Sequence, residues 1–171
     1  DEGLDTGDIL LSSKIVTMPD DTSGTLHDRL AELGADLLIQ SLNSFKTEKI
    51  HPIPQDHSQA TYAPLLKKND GRLNWTMPAW ALEALIRGVT PWPGAFTFHE
   101  NKRLKIFKAR PIFIDTPETP GTVIRGFPDE LRVVAGEGVL SIMEIQGSSG
   151  KRLLIKDFLR GYPLTPGTIL H

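Results

Sequence analysis

The chain has no cysteine among its 171 residues, so neither a disulfide framework nor a thiolate metal site can be built from it. Its five histidines, His27, His51, His57, His99 and His171, are scattered, with no two three or four positions apart. A zinc site of the helical His-pair kind is therefore not expected. No run approaches the roughly 18 apolar residues of a membrane-spanning helix. A strong excess of either charge is also missing, with 19 Lys and Arg against 21 Asp and Glu. The opening residues carry no initiator Met and no basic, apolar leader. Asp1, Glu2, Asp5 and Asp8 are instead broken by Gly3 and Gly7, a polar loop running into an apolar stretch. A chain opening on such a loop is expected to be a fragment.

What is present is turn-forming and unevenly charged. Fifteen glycines and thirteen prolines predict many short elements. Residues 1–92 hold 8 Lys/Arg against 13 Asp/Glu, and residues 93–171 hold 11 against 8. The second half is the one suited to face a polyanion.

Ile9, Leu10, Leu11, Ile15 and Val16 predict an extended strand. The cluster from Pro19 to Gly24 offers a turn and helix caps. Leu26, Leu30, Leu33, Leu37, Leu38, Leu42 and Phe45 then recur every three or four residues, with Asp28, Arg29, Glu32, Asp36 and Gln40 between them. That spacing predicts an amphipathic helix of about five turns with one leucine face. His51 to Gln59 has no period and contains Pro52 and Pro54, so it reads as an extended linker. Thr61 is placed to cap a short helix reaching Lys68, and Thr76 with Pro78 to start another that Gly88 ends. The three tryptophans, Trp75, Trp80 and Trp92, flank helices and prolines and are assigned to core or interface packing.

After Pro93 the pattern changes to period two. Residues 95–98, 104–109, 121–124, 131–135 and 139–145 all read as short strands separated by tight turns. Residues 157–161 suit one helical turn and 166–170 a closing strand. Short antiparallel strands in this number argue for a small barrel, whose closure removes exposed edges. On a straight strand Lys105 and Lys108 fall on opposite faces, whereas Lys102 and Lys108 share one.

The opening loop carries the sharpest chemical signal. In Leu4-Asp5-Thr6-Gly7-Asp8-Ile9-Leu10 a carboxylate sits in a tight turn beside a glycine, just ahead of an apolar strand. Such a turn can aim Asp5 into a cleft, where a carboxylate can hold and stabilise a partner imidazolium. A surface Asx-turn would have the same local pattern.

The segment Gly3 to Leu10 resembles the signature of folate-dependent formyltransferases. Asp21 to Leu30, Thr61-Tyr62-Ala63, Ile86-Arg87-Gly88, Pro91-Trp92-Pro93-Gly94-Ala95, Pro120-Gly121-Thr122, Gly150-Lys151-Arg152, Phe158 to Gly161 and Pro166-Gly167 are similar, in order and end to end, to the methionyl-tRNA formyltransferases. One departure is Asn74, where that family usually has Asp. The resemblance implies an α+β chain. Its residues 1–50 would close a formyltransferase domain with a strand and a long helix, residues 51–66 would form a linker, and residues 67–171 a Greek-key β-barrel resembling an oligonucleotide-binding (OB) fold.

The implied reaction moves a formyl group from 10-formyltetrahydrofolate to the α-amine of methionine on initiator methionyl-tRNA. It needs no metal, and the family is cytoplasmic and monomeric. Of the family's Asn-His-Asp trio only the Asp is matched, by Asp5; Asn and His would lie upstream. The backbone of Gly3, Leu4 and Asp5 would lie near the pterin. Transfer RNA would be met by Lys67, Lys68, Arg72, Lys102, Lys105, Lys108, Lys151 and Arg152, spread as phosphate contacts require. The isolated fragment is expected to be inactive, and to self-associate or dock its leucine face on a neighbour. Two other readings stay open: a formyltetrahydrofolate hydrolase-dehydrogenase or amino-sugar formyltransferase, and a non-enzymatic nucleic-acid-binding barrel.

Overall fold

A computed structural model of the chain describes residues 1–47, 50–126, 129–148 and 150–171. It separates into two units, Asp1–Leu65 and Leu66–His171. The first is built around helix α1, Ser23–Lys46. Its start is fixed by a reciprocal cap. The Thr22 hydroxyl accepts from the Thr25 N–H at 3.2 Å, and the Thr25 hydroxyl accepts from the Thr22 N–H at 2.9 Å. Arg29, one turn further on, donates to Asp21 at 2.6 Å and to the Val16 carbonyl at 2.8 Å, tying the incoming loop to the helix. Lys46 lies in the last turn, where a cation suits the helix dipole.

The helix agrees with its leucine periodicity, yet it buries nothing. Leu30, Leu38, Leu42 and Phe45 are about half exposed, and no described residue of the first unit is buried. The strand expected from Ile9 to Val16 is not formed as such. Ile9 alone is paired, in an isolated antiparallel bridge with Ile53, because no other described segment offers a second rung. The helix expected from Thr61 to Lys68 is also absent, and only a 3-10 turn, Lys68–Gly71, forms. Pro64 opposes it by disfavouring helical geometry at Ala63, inside the would-be first turn.

The second unit is α+β. Helix α2, Ala79–Gly88, packs Ala79, Leu82 and Ile86 into the core. Six strands follow: β1 (Ala95–His99), β2 (Lys102–Ile112), β3 (Val123–Ile124), β4 (Leu131–Val134), β5 (Val139–Gln146) and β6 (Leu153–Leu154), ahead of helix α3, Ile155–Gly161. All pairs are antiparallel, in the order β1-β2-β5-β4-β3, with β6 added on β5. Glu100 and Asn101 turn β1 into β2 with positive φ values of 47° and 62°, as a tight two-residue hairpin requires.

The sheet curls, and the last residues join its two ends. Val123 N–H donates to the Thr168 carbonyl at 2.7 Å and Leu170 N–H to that of Gly121 at 2.9 Å. On the other side Phe98 and His171 exchange both backbone bonds, at 2.8 and 2.9 Å. Gly121 is required at this seam: φ is +90°, and a Cβ there would lie 2.5 Å from the Leu170 oxygen. The segment expected as a closing strand therefore closes, though as a strap with one bridge rather than a ladder.

Inside the curl Leu82, Leu104, Ile106, Leu131, Leu140, Ile142 and Ile145 are almost fully buried. Trp75 joins them, its indole N–H donating to Thr97 at 3.0 Å, and Thr97 in turn donates to the His171 carbonyl at 3.0 Å. Core placement fails for Trp80 and Trp92, each 55% exposed. Trp80 sits beside the Ala79–Leu82–Ile86 stripe of α2 rather than on it.

Candidate functional site

In the first unit Asp5 has a φ of +55°, in the left-handed region, so the turn lifts it out of the chain direction of its neighbours. Its carboxylate makes no hydrogen bond to another described residue. The side chain faces a cleft of about 800 Å³ lined by Leu4, Asp5, Thr6, Gln55, Asp56, His57 and Tyr62, among others. The segment from Ile53 to Gln55 lies alongside the loop. Ile9 and Ile53 exchange backbone bonds at 2.9 and 3.0 Å, and the Gln55 amide donates to the carbonyls of Asp5 and Gly7 at 2.9 and 2.6 Å.

A second carboxylate in this cleft, Asp56, caps the 3-10 turn His57–Gln59. It accepts from the Ser58 hydroxyl at 2.6 Å, the Ser58 N–H at 3.0 Å and the Gln59 amide at 2.9 Å. The bonds from Ser58 above all hold its carboxyl below the usual carboxylate range. Asp56 thus stays ionised, committed to its turn. Asp5 is the cleft's carboxylate left open to a ligand or a missing partner.

In the second unit the cations gather on the outer face of the β1–β2 hairpin and its neighbours. Phe98 pairs with Arg103 and Phe96 with Lys105, so these four share one side. Arg103 lies over the Phe96 ring at 3.8 Å, Arg72 over Phe98 at 5.5 Å, and Arg152 over Phe107 at 4.6 Å. The Arg103 Nε is buried without a hydrogen-bond partner among the described residues, which leaves ring stacking to compensate its lost hydration.

The face relation of the strand lysines is the reverse of the straight-strand expectation. The β2–β5 register shifts between Ile106 and Lys108 and again before Ala109. Buried positions accordingly step from Leu104 and Ile106 to Ala109, and on β5 from Ile142 to Ile145. The extra residue in each strand turns Lys108 outward, onto the face of Lys105, whose partner is Gln146 while that of Lys108 is Glu144. Lys108, Arg110 and Lys156 line a groove of about 510 Å³ with Asp129, Glu130 and Glu144. Arg152 is ion-paired with Glu144 at 2.5 Å.

Lys102 stands at the end of β2, 5.7 Å from the Tyr162 ring, and shares a smaller cleft of about 380 Å³ with Lys151 and Phe158. Tyr162 meets His99 Nδ1 at 2.7 Å; burial, with the charge of Glu100 added, raises its phenol above the ordinary value. Lys67 and Lys68 are exposed at the 3-10 turn before Arg72, where the Lys67 N–H donates to Asp70 at 2.6 Å.

The expected cations therefore fall into separate groups: Lys105, Lys108 and Arg152 on the outer sheet face, Lys102 and Lys151 beside α3, and Lys67 and Lys68 at the turn preceding Arg72. Gly3 and Leu4 are exposed beside Asp5. Sequence reasoning did not assign Gln55 or the three phenylalanines. The alternation of Phe96 and Phe98 against Arg103, Lys105 and Phe107 across a two-residue turn carried the signal for the latter. Asn74, the departure from the resembled pattern, accepts from the Thr76 N–H at 3.1 Å and hydroxyl at 2.8 Å. An amide oxygen performs that turn-capping role as a carboxylate would. Among the described residues no group of three or more His, Asp or Glu is arranged to hold a metal ion. None of the described helices is long and apolar enough to cross a membrane.

Residues 65–163 match the family model described as "Formyl transferase, C-terminal domain". The chain is 45% identical to a methionyl-tRNA formyltransferase of Desulfotalea psychrophila, over 99% of this chain and 53% of that protein. It is 44% identical to one from Caldanaerobacter subterraneus, over 99% and 55%. The chain thus spans about half the length of the curated relatives it matches. Among solved structures it is similar in fold to HypX from Aquifex aeolicus, at 17% identity, with a TM-score of 0.65 over 95% of this chain and 29% of that one. A HypX structure in complex with tetrahydrofolic acid matches with a TM-score of 0.63 over 93% and 28%.

Proposed function

Because the chain belongs to the formyl transferase C-terminal domain family, we propose that it is part of a methionyl-tRNA formyltransferase. The protein moves a formyl group from 10-formyltetrahydrofolate to the methionine α-amine of initiator methionyl-tRNA, acting in the cytoplasm as a monomer. The observation that carries this reading is the conjunction of end-to-end identity to methionyl-tRNA formyltransferases with Asp5, an exposed carboxylate presented by a left-handed turn at a cleft.

In the proposed reaction the neutral amine attacks the formyl carbon and its carbonyl oxygen becomes an oxyanion. Asn and a protonated His, supplied by the part of the enzyme outside this sequence, stabilise that charge. The amine sheds its proton through a bound water, with Asp5 and the His as relay, and N10 takes up a proton as its bond to the formyl carbon breaks and tetrahydrofolate leaves. Asp5 suits this because its carboxylate is uncommitted, whereas Asp56 is held by Ser58 and Gln59. The backbone of Gly3, Leu4 and Asp5 borders the pterin. The cleft is of a size usual for small-molecule sites.

The second unit acts as a barrel of the Greek-key, OB-like kind that grips tRNA. Support comes from the outer face, where Arg72, Arg103, Lys105, Lys108 and Arg152 alternate with Phe96, Phe98 and Phe107. Cations neutralise phosphates, and an arginine stacked on a ring leaves its plane aligned for a base. Lys67, Lys68, Lys102 and Lys151 extend the contact. The deciding experiment offers the full-length enzyme 10-formyltetrahydrofolate with charged initiator tRNA and an amino-sugar nucleotide in competition. Formylation of the tRNA is expected, and preferential formylation of the sugar would overturn the assignment.

A further inference from the structure

The Asp5 turn is exposed and left-handed, a backbone conformation that non-glycine residues adopt uncommonly. None of the described residues of the unit that carries it is buried. The hydrogen bonds show what holds the backbone of this turn. Pro52 and Pro54 have no N–H, so between positions 52 and 54 only Ile53 can donate from the backbone. Ile53 uses that donor on Ile9 at 3.0 Å and accepts from Ile9 at 2.9 Å, one antiparallel rung just past the turn. Where Pro54 cannot donate, the Gln55 side chain does, with one amide nitrogen bridging the carbonyls of Asp5 and Gly7 at 2.9 and 2.6 Å. Those two carbonyls flank Thr6, so the bridge spans the turn and fixes the peptide planes on either side of it. Prolines on both sides of Ile53 stiffen the clamping segment in an extended form, so little order is lost when it seats.

We propose that Gln55 is a positioning residue for Asp5, and that residues 53–55 form part of the catalytic loop's scaffold rather than a passive connector between domains. This rests on the reading of Asp5 as the reaction's carboxylate. The Asp5 carbonyl is exposed and can be hydrated if the amide is removed, so the clamp's loss should cost geometry rather than folding. Misplacing a reacting group by about 1 Å can cost on the order of 100-fold in rate.

The test uses the full-length enzyme with Gln55→Met, which keeps length and neutrality but has no donor, and Ile53→Pro, which removes the Ile53 N–H bond to Ile9, one of the rung's two, and leaves Gln55 in place. Asp5→Ala serves as reference. Gln55→Met should lower kcat by about 10–100-fold, with KM for folate and tRNA within about threefold and an unchanged melting curve. Ile53→Pro should lower kcat in the same sense, and it carries the test alone if Gln55→Met does not fold. If both variants keep kcat within about twofold of wild type while Asp5→Ala is inactive, the clamp is refuted and the catalytic reading stands. A Gln55→Met loss confined to KM also refutes it. Full activity in Asp5→Ala removes the reading on which the proposal depends.

Discussion

Replacing Lys105 and Lys108 together tests the link between the strand irregularity and tRNA binding. In a straight β2 these lysines would point to opposite sides, and at most one of them could meet a given polyanion. The paired register shift puts both outward, opposite Gln146 and Glu144. Each phosphate neutralised contributes about 0.7–0.9 to the slope of log K against log salt. Lys105→Ala should thus flatten the slope by just under one, Lys108→Ala by the same or somewhat less because Glu144 faces it, and the double variant by roughly 1.4–1.8. Fluorescence anisotropy of labelled initiator tRNA at four or five salt concentrations measures this directly. A double variant no flatter than either single variant would show that one lysine faces away from the RNA. Wild-type slopes near zero would exclude phosphate neutralisation altogether.

Three further outcomes are expected. Gly121→Ala places a Cβ 2.5 Å from the Leu170 oxygen at a φ of +90°, so it should destabilise the second unit by about 2–4 kcal/mol in urea unfolding; a loss below about 0.5 kcal/mol would show that the closing strap yields easily. Asp21 is held below the ordinary carboxylate range, first by the Met18 N–H and also by Arg29. Because its folded pKa is depressed, its contribution to the α1 cap is present above the unfolded value of about 3.9 and lost as pH falls through the lower folded value; a carboxyl NMR titration midpoint at or above about 3.9 contradicts this. With Leu30, Leu38, Leu42 and Phe45 exposed on α1, residues 1–171 in isolation should self-associate with rising concentration. Strictly monomeric sedimentation at high concentration would count against that expectation.

Local pattern made some of this architecture readable in advance. The α1 leucines recur at helical spacing, and Thr22 and Thr25 sit where a cap belongs. The β1–β2 hairpin follows from its turn residues and from the alternation of β2, where Leu104 and Ile106 are buried and Lys105 is exposed. What escaped the sequence was relational. The β2 irregularity is matched by one in β5, and either strand alone still shows plausible alternation. The bond from Gln55 to Asp5 spans fifty positions and leaves no periodic trace. Thr61 to Lys68 looked helical by capping and composition, but Pro64 biases Ala63 away from helical geometry within the first turn. Trp80 and Trp92 were assigned to packing from the helices and prolines they flank, while exposure depends on which side of a short helix or corner they leave from.

Formyl transfer by the full-length enzyme, measured in a single turnover on charged initiator tRNA with and without Asp5→Ala, addresses the central claim most directly. The account predicts a fall in rate of about 100- to 10,000-fold at unchanged tRNA affinity. A variant that transfers formyl at the wild-type rate would contradict it.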